Sequence, residues 1–392
     1  MSELWLDTTT GVIEITATNS TRCTDNPDAS CSTGYFDIDA SSTYKFISND
    51  PTDEADFPVD FGSDNVTISG LALSSVDLVV NMGTDLNEFL GIGYIVSDKL
   101  DAPASILQAL LDQGHIKSAA YSLWVDEPTG TTGTILFGGV DTTKYTGELY
   151  TMSVPAVNGT RYLPTVLMTK VTVQTSSVSP GNSSTLPTYM VLSSTSPQTV
   201  LPTETVEQVF KDLNITWDEE YQVGMIDCGA SEKDYSITFT FGDFSIKAPV
   251  SDFIATGNSD RCQFNFVPSL GGTPILASDF LRRAYVVYDL SNHEISMAQR
   301  DFDAEGENIL EIGSGANPIS SAISVSDTAS VTVPTAVVNP SGATVLPTKF
   351  TSSVSSAHST STSKDVAVVP TGCPNNPSLL AGVIGAGLWM AL

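Results

Sequence analysis

Along most of this chain apolar residues alternate with polar ones in short runs broken by turn residues, the pattern of strands half-buried in sheets. The runs 65–73 (NVTISGLAL), 133–139 (GTILFGG), 166–174 (VLMTKVTVQ), 236–241 (SITFTF) and 283–290 (RAYVVYDL) are rich in β-branched and aromatic residues and read as strands. Two segments carry a helical period instead. In 103–113, Ile106, Leu107, Leu110 and Leu111 share a face, Pro103 suits the first turn and Gly114 supplies a stop. In 202–213, Val206, Val209, Phe210 and Leu213 fall at i, i+3, i+4 and i+7. The pattern predicts a mostly-β protein with occasional helices.

After Ile312 the alternation stops. Residues 313–365 are mainly Ser, Thr, Ala, Val and Pro with almost no aromatics, too little apolar surface to order a chain, and read as a disordered O-glycosylated stalk. Residues 366–392 end in SLLAGVIGAGLWMAL behind the polar GCPNNPS. That run is shorter and richer in Gly than a membrane span of about 20 residues. Small residues, a polar spacer and an apolar end match a GPI-attachment signal, with the attachment point among Ser361 to Asp365. The opposite end, MSELWLDTTTG, has neither the basic nor the apolar region of a secretory leader. The expectation is that the front of the natural chain is missing from this sequence.

With 392 residues the chain has enough length for two lobes. Its 45 acidic and 16 basic residues give a net charge of −29, a field that repels nucleic acid and anionic lipid and suits a secreted protein in an acidic medium. Five sequons, at Asn19, Asn65, Asn158, Asn182 and Asn214, point to a glycosylated exterior. Five cysteines leave one over; loss of Cys373 with the tail leaves four, enough for two disulfides in an oxidising compartment.

Four stretches carry a resemblance: CSTGYFDIDASSTYKF (31–46), FLGIGY (89–94), the run from Ser105 to Tyr150, and PILASDFLRRAYVVYDLSNHEISMAQR (274–300). In this order they resemble the pepsin-like aspartic peptidases, most closely the fungal GPI-anchored yapsin-type branch, over almost all of residues 1–301. The resemblance implies a mostly-β, bilobal pepsin-like fold. Its N-lobe (1–150) is incomplete, without opening strands, and its C-lobe is 151–312. It implies disulfides Cys23–Cys31 and Cys228–Cys262, a monomer, no cofactor and no metal. The implied partner is a peptide or protein in the inter-lobe cleft, with no nucleic acid, and with a GPI lipid as the sole tie to the membrane. Absent opening strands would leave a bare sheet edge and a marginally stable N-lobe.

Enzymes of this family take one Asp from an Asp-Thr/Ser-Gly loop in each lobe. Two carboxylates that close together cannot both ionise, so they share a proton; one activates water while the other protonates the substrate carbonyl. The first loop is expected upstream of Met1. Asp7, in LDTTTG, has the wrong offset from Trp5 and lacks Gly two residues on, so it reads as a surface Asp leading into a hairpin. Aligned on Leu201-Pro202, the second loop becomes Ser193-Ser194-Thr195-Ser196-Pro197. Ser193 then stands at the acid position, Thr195 at the turn glycine where a positive φ would be costly, and Pro197 removes a backbone donor.

The flap region between Phe46 and Asn65 lacks its Tyr and Gly-rich turn, leaving Phe57 and Phe61, and Ile-Leu-Gly becomes Ile275-Leu276-Ala277. A serine mechanism needs a base, yet the resemblance brings none of His115, His293 and His358 near residue 193, and no Gly-x-Ser-x-Gly elbow occurs. Scattered histidines and no Cys-x-x-Cys argue against zinc. The expectation is a catalytically inactive, GPI-anchored surface glycoprotein of this family. The competing expectation is an active aspartic-type endopeptidase whose N-terminus was lost through a wrong gene start.

Overall fold

The alternating runs do pair into sheets. A computed structural model describes residues 4–25, 35–49, 58–83, 88–94, 106–130, 132–156, 163–175, 186–255, 260–315, 318–325 and 380–382. Strands Ser236–Phe241 and Ala284–Asp289 fall where the alternation predicts them. The run 65–73 is a hairpin instead: Val59–Ile68 pairs with Leu71–Asn81 around Ser69-Gly70, both at positive φ (47° and 83°). Gly138 (φ 68°) likewise divides 133–139 into Gly133–Phe137 and Gly139–Asp141, and 166–174 divides into Thr165–Met168 and Lys170–Gln174. The two segments with a helical period form helices Ile106–Asp112, with Pro103 outside the described residues, and Thr203–Leu213, which buries Val206, Val209, Phe210 and Leu213.

Two halves repeat one arrangement. In the first, Trp5–Asp7 lies parallel to Phe89–Gly91, which runs antiparallel to Ile13–Thr16. In the second, Thr188–Leu192 lies parallel to Ile275–Leu276, which pairs antiparallel with Thr199–Leu201. The registers agree, with Leu6 opposite Leu90 and Leu192 opposite Leu276. The first motif belongs to a six-stranded sheet and the second to a five-stranded one. Trp5–Asp7 is the edge of its sheet, and Trp5 is 43% exposed.

A seven-stranded sheet underlies both halves. Its order is Ala322–Ser324, Tyr145–Ser153, Glu294–Arg300, Ala284–Asp289, Ala120–Val125, Gly133–Phe137 and Leu380–Gly382. Tyr121 and Tyr288 on this sheet stack at 4.8 Å between ring centroids, and Trp124 stacks on Tyr285 at 5.3 Å. The fold extends past the expected limit at Ile312. Ile309–Glu311 pairs with Gly139–Asp141, Ile319 is buried, and Ala322–Ser324 runs parallel to Leu149–Thr151. Apolar Ile319 and Ala322 find a waiting groove on the sheet, so this part of the Ser/Thr-rich stretch is ordered by contact rather than by its own composition. Residues 326–379, with Ser361 to Asp365 and Cys373, lie outside the described residues.

Cys228–Cys262 is formed, tying a 3₁₀ turn to strand Arg261–Phe264. Cys23 is disulfide-bonded, and its expected partner Cys31 lies outside the described residues. No described helix is long and apolar enough to cross a membrane.

Candidate functional site

The two equivalent strands, Trp5–Asp7 and Thr188–Leu192, end in loops that meet, and the bonds between the loops are reciprocal. Thr8 N donates to Ser194 Oγ (3.1 Å) and Ser194 N donates to Thr8 Oγ1 (3.2 Å). Thr8 Oγ1 donates to the Leu192 carbonyl (3.0 Å) and Ser194 Oγ donates to the Leu6 carbonyl (2.6 Å). All four groups are buried, so each bond also removes a desolvation penalty. A constant step of 186 residues relates the partners: Thr8 corresponds to Ser194 and Leu6 to Leu192. The same step carries Leu90, opposite Leu6, onto Leu276, opposite Leu192. Between these fixed points it carries Asp7 onto Ser193, Thr9 onto Thr195 and Thr10 onto Ser196.

The environments of Asp7 and Ser193 match as the step requires. Asp7 Oδ1 accepts from Thr9 N (2.7 Å) and Thr9 Oγ1 (2.6 Å), and the carboxylate also draws the Thr10 amide. Ser193 Oγ accepts from Ser196 N (3.1 Å) and lies 3.4 Å from Thr195 Oγ1. Asp7 is 8% exposed and Ser193 5%. The reading of Asp7 as a surface residue is therefore wrong. Anchoring on Trp5 and on an absent glycine looked for a local motif, whereas the correspondence of Asp7 with Ser193 shows only once the two halves are joined through Thr8 and Ser194. Burial raises its pKa, partly offset by the donors from Thr9 and Thr10.

Neither Thr9 nor Thr195 has a positive φ, so the expected strain at Thr195 is absent. Close approach is managed elsewhere in the first half. A Cβ on Gly91 would lie 2.1 Å from the Val12 carbonyl oxygen, and one on Gly93 2.2 Å from that of Thr8. In the second half Ala277 tolerates its methyl group fully buried.

Beneath Asp7 lie phenols. Tyr121 titrates well above its usual range, first through burial and then through the negative fields of Tyr288, Asp7 and Tyr94. Burial raises Tyr288 as well. Tyr121 and Tyr288 are fully buried and Tyr288 hydrogen-bonds to Thr8, the residue after Asp7.

The hydroxyls of Ser193 and Ser194 bond to Thr195, Ser196, Leu6 and Thr8, and no histidine is among these partners. His293 packs against Tyr94 (centroids 6.0 Å), His115 follows the helix Ile106–Asp112, and His358 lies outside the described residues. Among the described residues no cluster of three His, Cys, Asp or Glu is placed to hold a metal.

Lys45–Asn49 and Val59–Ile68 form an antiparallel pair at the flap position; residues 50–57, Phe57 included, lie outside the described residues. Phe61 packs on Val79, with Val12 and Val59 beside it. Of the sequons, Asn19, Asn65 and Asn214 are exposed, and Asn158 and Asn182 lie outside the described residues.

The site thus holds one carboxyl and one hydroxyl at equivalent points. Asp7 can act as a base when ionised or as an acid when protonated. Ser193 can hydrogen-bond in either state but holds no charge at any working pH.

Comparison with known proteins agrees with the mostly-β fold. A model of the eukaryotic aspartyl protease family matches residues 2–300. The chain is 36% identical over 343 residues to "Probable aspartic-type endopeptidase opsB" of Aspergillus fumigatus, covering 82% of this chain and 70% of that protein. It is 31% identical over 306 residues to "Aspartic proteinase yapsin-3" of Saccharomyces cerevisiae, covering 72% and 60% respectively. With "Aspartic proteinase MKC7" of the same yeast the identity is 31% over 342 residues, covering 79% and 56%.

Proposed function

The chain belongs to the eukaryotic aspartyl protease family, with yapsin-type proteins among its relatives, and on that premise we propose that it is a GPI-anchored surface glycoprotein whose site receives peptide without hydrolysing it. Asp7, rather than a residue upstream of Met1, is the acid of the first loop, and Ser193 stands where the second acid belongs. The reciprocal interlock of Thr8 and Ser194, which makes Asp7 and Ser193 equivalent, supports this reading.

Hydrolysis by an acid pair needs a carboxylate to take a proton from water and a carboxylic acid to give one to the peptide carbonyl. Asp7 supplies one of these at a time. Ser193 cannot supply the other, because a serine hydroxyl is too weak an acid to transfer its proton at this step. By comparison with the loss of members from other catalytic units, the deficit is on the order of 10⁴- to 10⁶-fold in rate. Two neutral donors remain at low pH, the Asp7 carboxyl and the Ser193 hydroxyl, and both suit a peptide carbonyl.

The apolar terminus behind small and polar residues, together with the five sequons, supports the surface location. Phospholipase C specific for phosphatidylinositol should release the protein from cells that express it.

The activity test is cleavage of a mixed peptide library at pH 3–6, with and without a statine-type inhibitor. The unmodified protein should show no inhibitor-sensitive cleavage, and Ser193→Asp combined with Thr195→Gly should gain it. Inhibitor-sensitive cleavage by the unmodified protein, lost on Asp7→Asn, would overturn the silent reading in favour of an active aspartic-type endopeptidase.

A further inference from the structure

The seven-stranded sheet is built from two equivalent hairpins with unequal neighbours. Ala120–Val125 with Gly133–Phe137 forms one, Ala284–Asp289 with Glu294–Arg300 the other, and Ala120–Val125 pairs antiparallel with Ala284–Asp289 at the centre. Outside Glu294–Arg300 lies the nine-residue strand Tyr145–Ser153, antiparallel, from Tyr145 opposite Arg300 to Ser153 opposite Glu294. The equivalent place outside Gly133–Phe137 holds Leu380–Gly382, also antiparallel but far shorter: Leu380 is opposite Phe137, Ala381 opposite Leu136 and Gly382 opposite Ile135. The register stops there, so Gly133 and Thr134 are uncovered on that side among the described residues. The tail strand is also weakly held, because its few pairs must offset the entropy of closing the long connection from Val325 to Leu380.

The strand that the tail covers has none of the features by which exposed edges avoid pairing with another chain. Gly133-Thr134-Ile135-Leu136-Phe137 carries no charge and no proline, and its register with Ala120–Val125 has no bulge. Both of its faces are apolar: Ile135 and Phe137 enter the main core, and Leu136 enters the smaller cluster with Trp124 and Tyr285. Such a strand matches itself. Turned about a two-fold axis through Ile135 and perpendicular to the sheet, it pairs antiparallel with the same strand of another copy. Phe137 then lies opposite Gly133 and Leu136 opposite Thr134, large against small, and each residue keeps its own face of the merged sheet. The flanks differ in charge. Exposed Asp126 and Glu127 stand at the Gly133 end, where Thr134 Oγ1 donates to Asp126 Oδ1 (2.7 Å). At the Phe137 end Ile116 packs on Gly138, and the neighbouring Lys117 side chain is 59% exposed beside its ion-pair partner Glu311. Antiparallel pairing brings the acidic end of each copy to the Lys117 end of the other.

We propose that the outer edge of Gly133–Phe137 is a docking site for a second copy of this chain, closed by Leu380–Gly382 while the tail strand is seated and opened by its loss. Two copies then form an isologous dimer with one continuous sheet, in place of the monomer that the family resemblance implies. Lipid attachment among Ser361 to Asp365, as proposed above, discards Leu380–Gly382 and leaves the anchored protein dimeric. The inference rests on that reading for when the site opens, and on the sheet alone for the site itself.

Light scattering after size exclusion, on the full chain, tests the site. The unmodified chain should have the mass of one copy. Ala381→Pro, which breaks the tail strand, should double that mass in a concentration-dependent way. Gly382→Pro breaks the same strand and carries the test should Ala381→Pro fail to fold. An excess of the synthetic peptide SLLAGVIGAG, residues 378–387, should return the dimer to one copy by refilling the edge. Thr134→Lys combined with Ala381→Pro places a charge on the edge and should also give one copy. A single-copy mass for both proline variants, or a dimer that neither the peptide nor Thr134→Lys dissociates, would overturn the site. None of these masses depends on a lipid, so a failed site and a failed lipid attachment are told apart: release by phospholipase C reports on the second alone.

Discussion

Thr8 and Ser194 each satisfy a buried amide and a buried carbonyl of the opposite half, and among the described residues no other side chain does so for those groups. Thr8→Ala strands Ser194 N and the Leu192 carbonyl; Ser194→Ala strands Thr8 N and the Leu6 carbonyl. Each variant should lose about 2–6 kcal/mol in urea unfolding, from ~1–3 kcal/mol for each of two unsatisfied buried groups. The double variant should lose less than the sum, because the two hydroxyls serve one joint. Asp7 makes a separate prediction through pH. Burial raises its folded pKa above 3.8, so wild type loses stability as pH rises from about that value. Asp7→Asn carries no such charge, and its melting temperature relative to wild type should increase from pH 4 to pH 7. A difference that is constant with pH would mean that Asp7 is not a buried acid. In the sequence, Leu201-Pro202 offered a nearby fixed point for reading Ser193 as the second acid position. It missed Asp7, whose equivalence to Ser193 rests on the contact between Thr8 and Ser194, far apart along the chain.

At the scale of elements, the alternation located strands well where turns were long and merged them where turns were short. Ser69-Gly70 reverses the chain in two residues that a run of β-branched neighbours conceals. The helix Thr203–Leu213 was legible because its apolar face has a single period. It ends at Asn214 in the left-handed region (φ 55°), which Asn tolerates better than most residues. Phe210 on that face lies against Phe264 and Trp217 at 6.3 and 6.2 Å between centroids. A Cβ on Gly224 would come within 2.6 Å of the Phe210 ring, so the glycine and the phenylalanine fit as a pair. Phe210→Ala should cost about 3–5 kcal/mol in urea unfolding. A cost below about 1 kcal/mol would show that the helix contributes little to the C-terminal half.

Across the whole molecule, the bilobal plan followed from the family resemblance, but the extent of the folded body did not. Low aromatic content made residues after Ile312 look uniformly unable to order. Ile319 and Ala322 nonetheless use a groove made by other parts of the chain, information that a local composition cannot hold. Ending the chain after Ile312 should lower the melting temperature relative to ending it after Val325, with the site loops unchanged in hydrogen exchange. Equal melting temperatures would show that Ile319 and strand Ala322–Ser324 add nothing.

The same strand has a mechanical consequence. Ala322–Ser324 runs parallel to Leu149–Thr151, and Val325 N donates to the Thr151 carbonyl (2.8 Å). Tension pulling on the polypeptide beyond Val325 therefore enters the body at the seven-stranded platform, at a distance in the chain from both loops that carry Asp7 and Ser193. Because Leu380–Gly382 forms the opposite edge of the same sheet, a pull applied at the tail loads that strand before it reaches Ala322–Ser324.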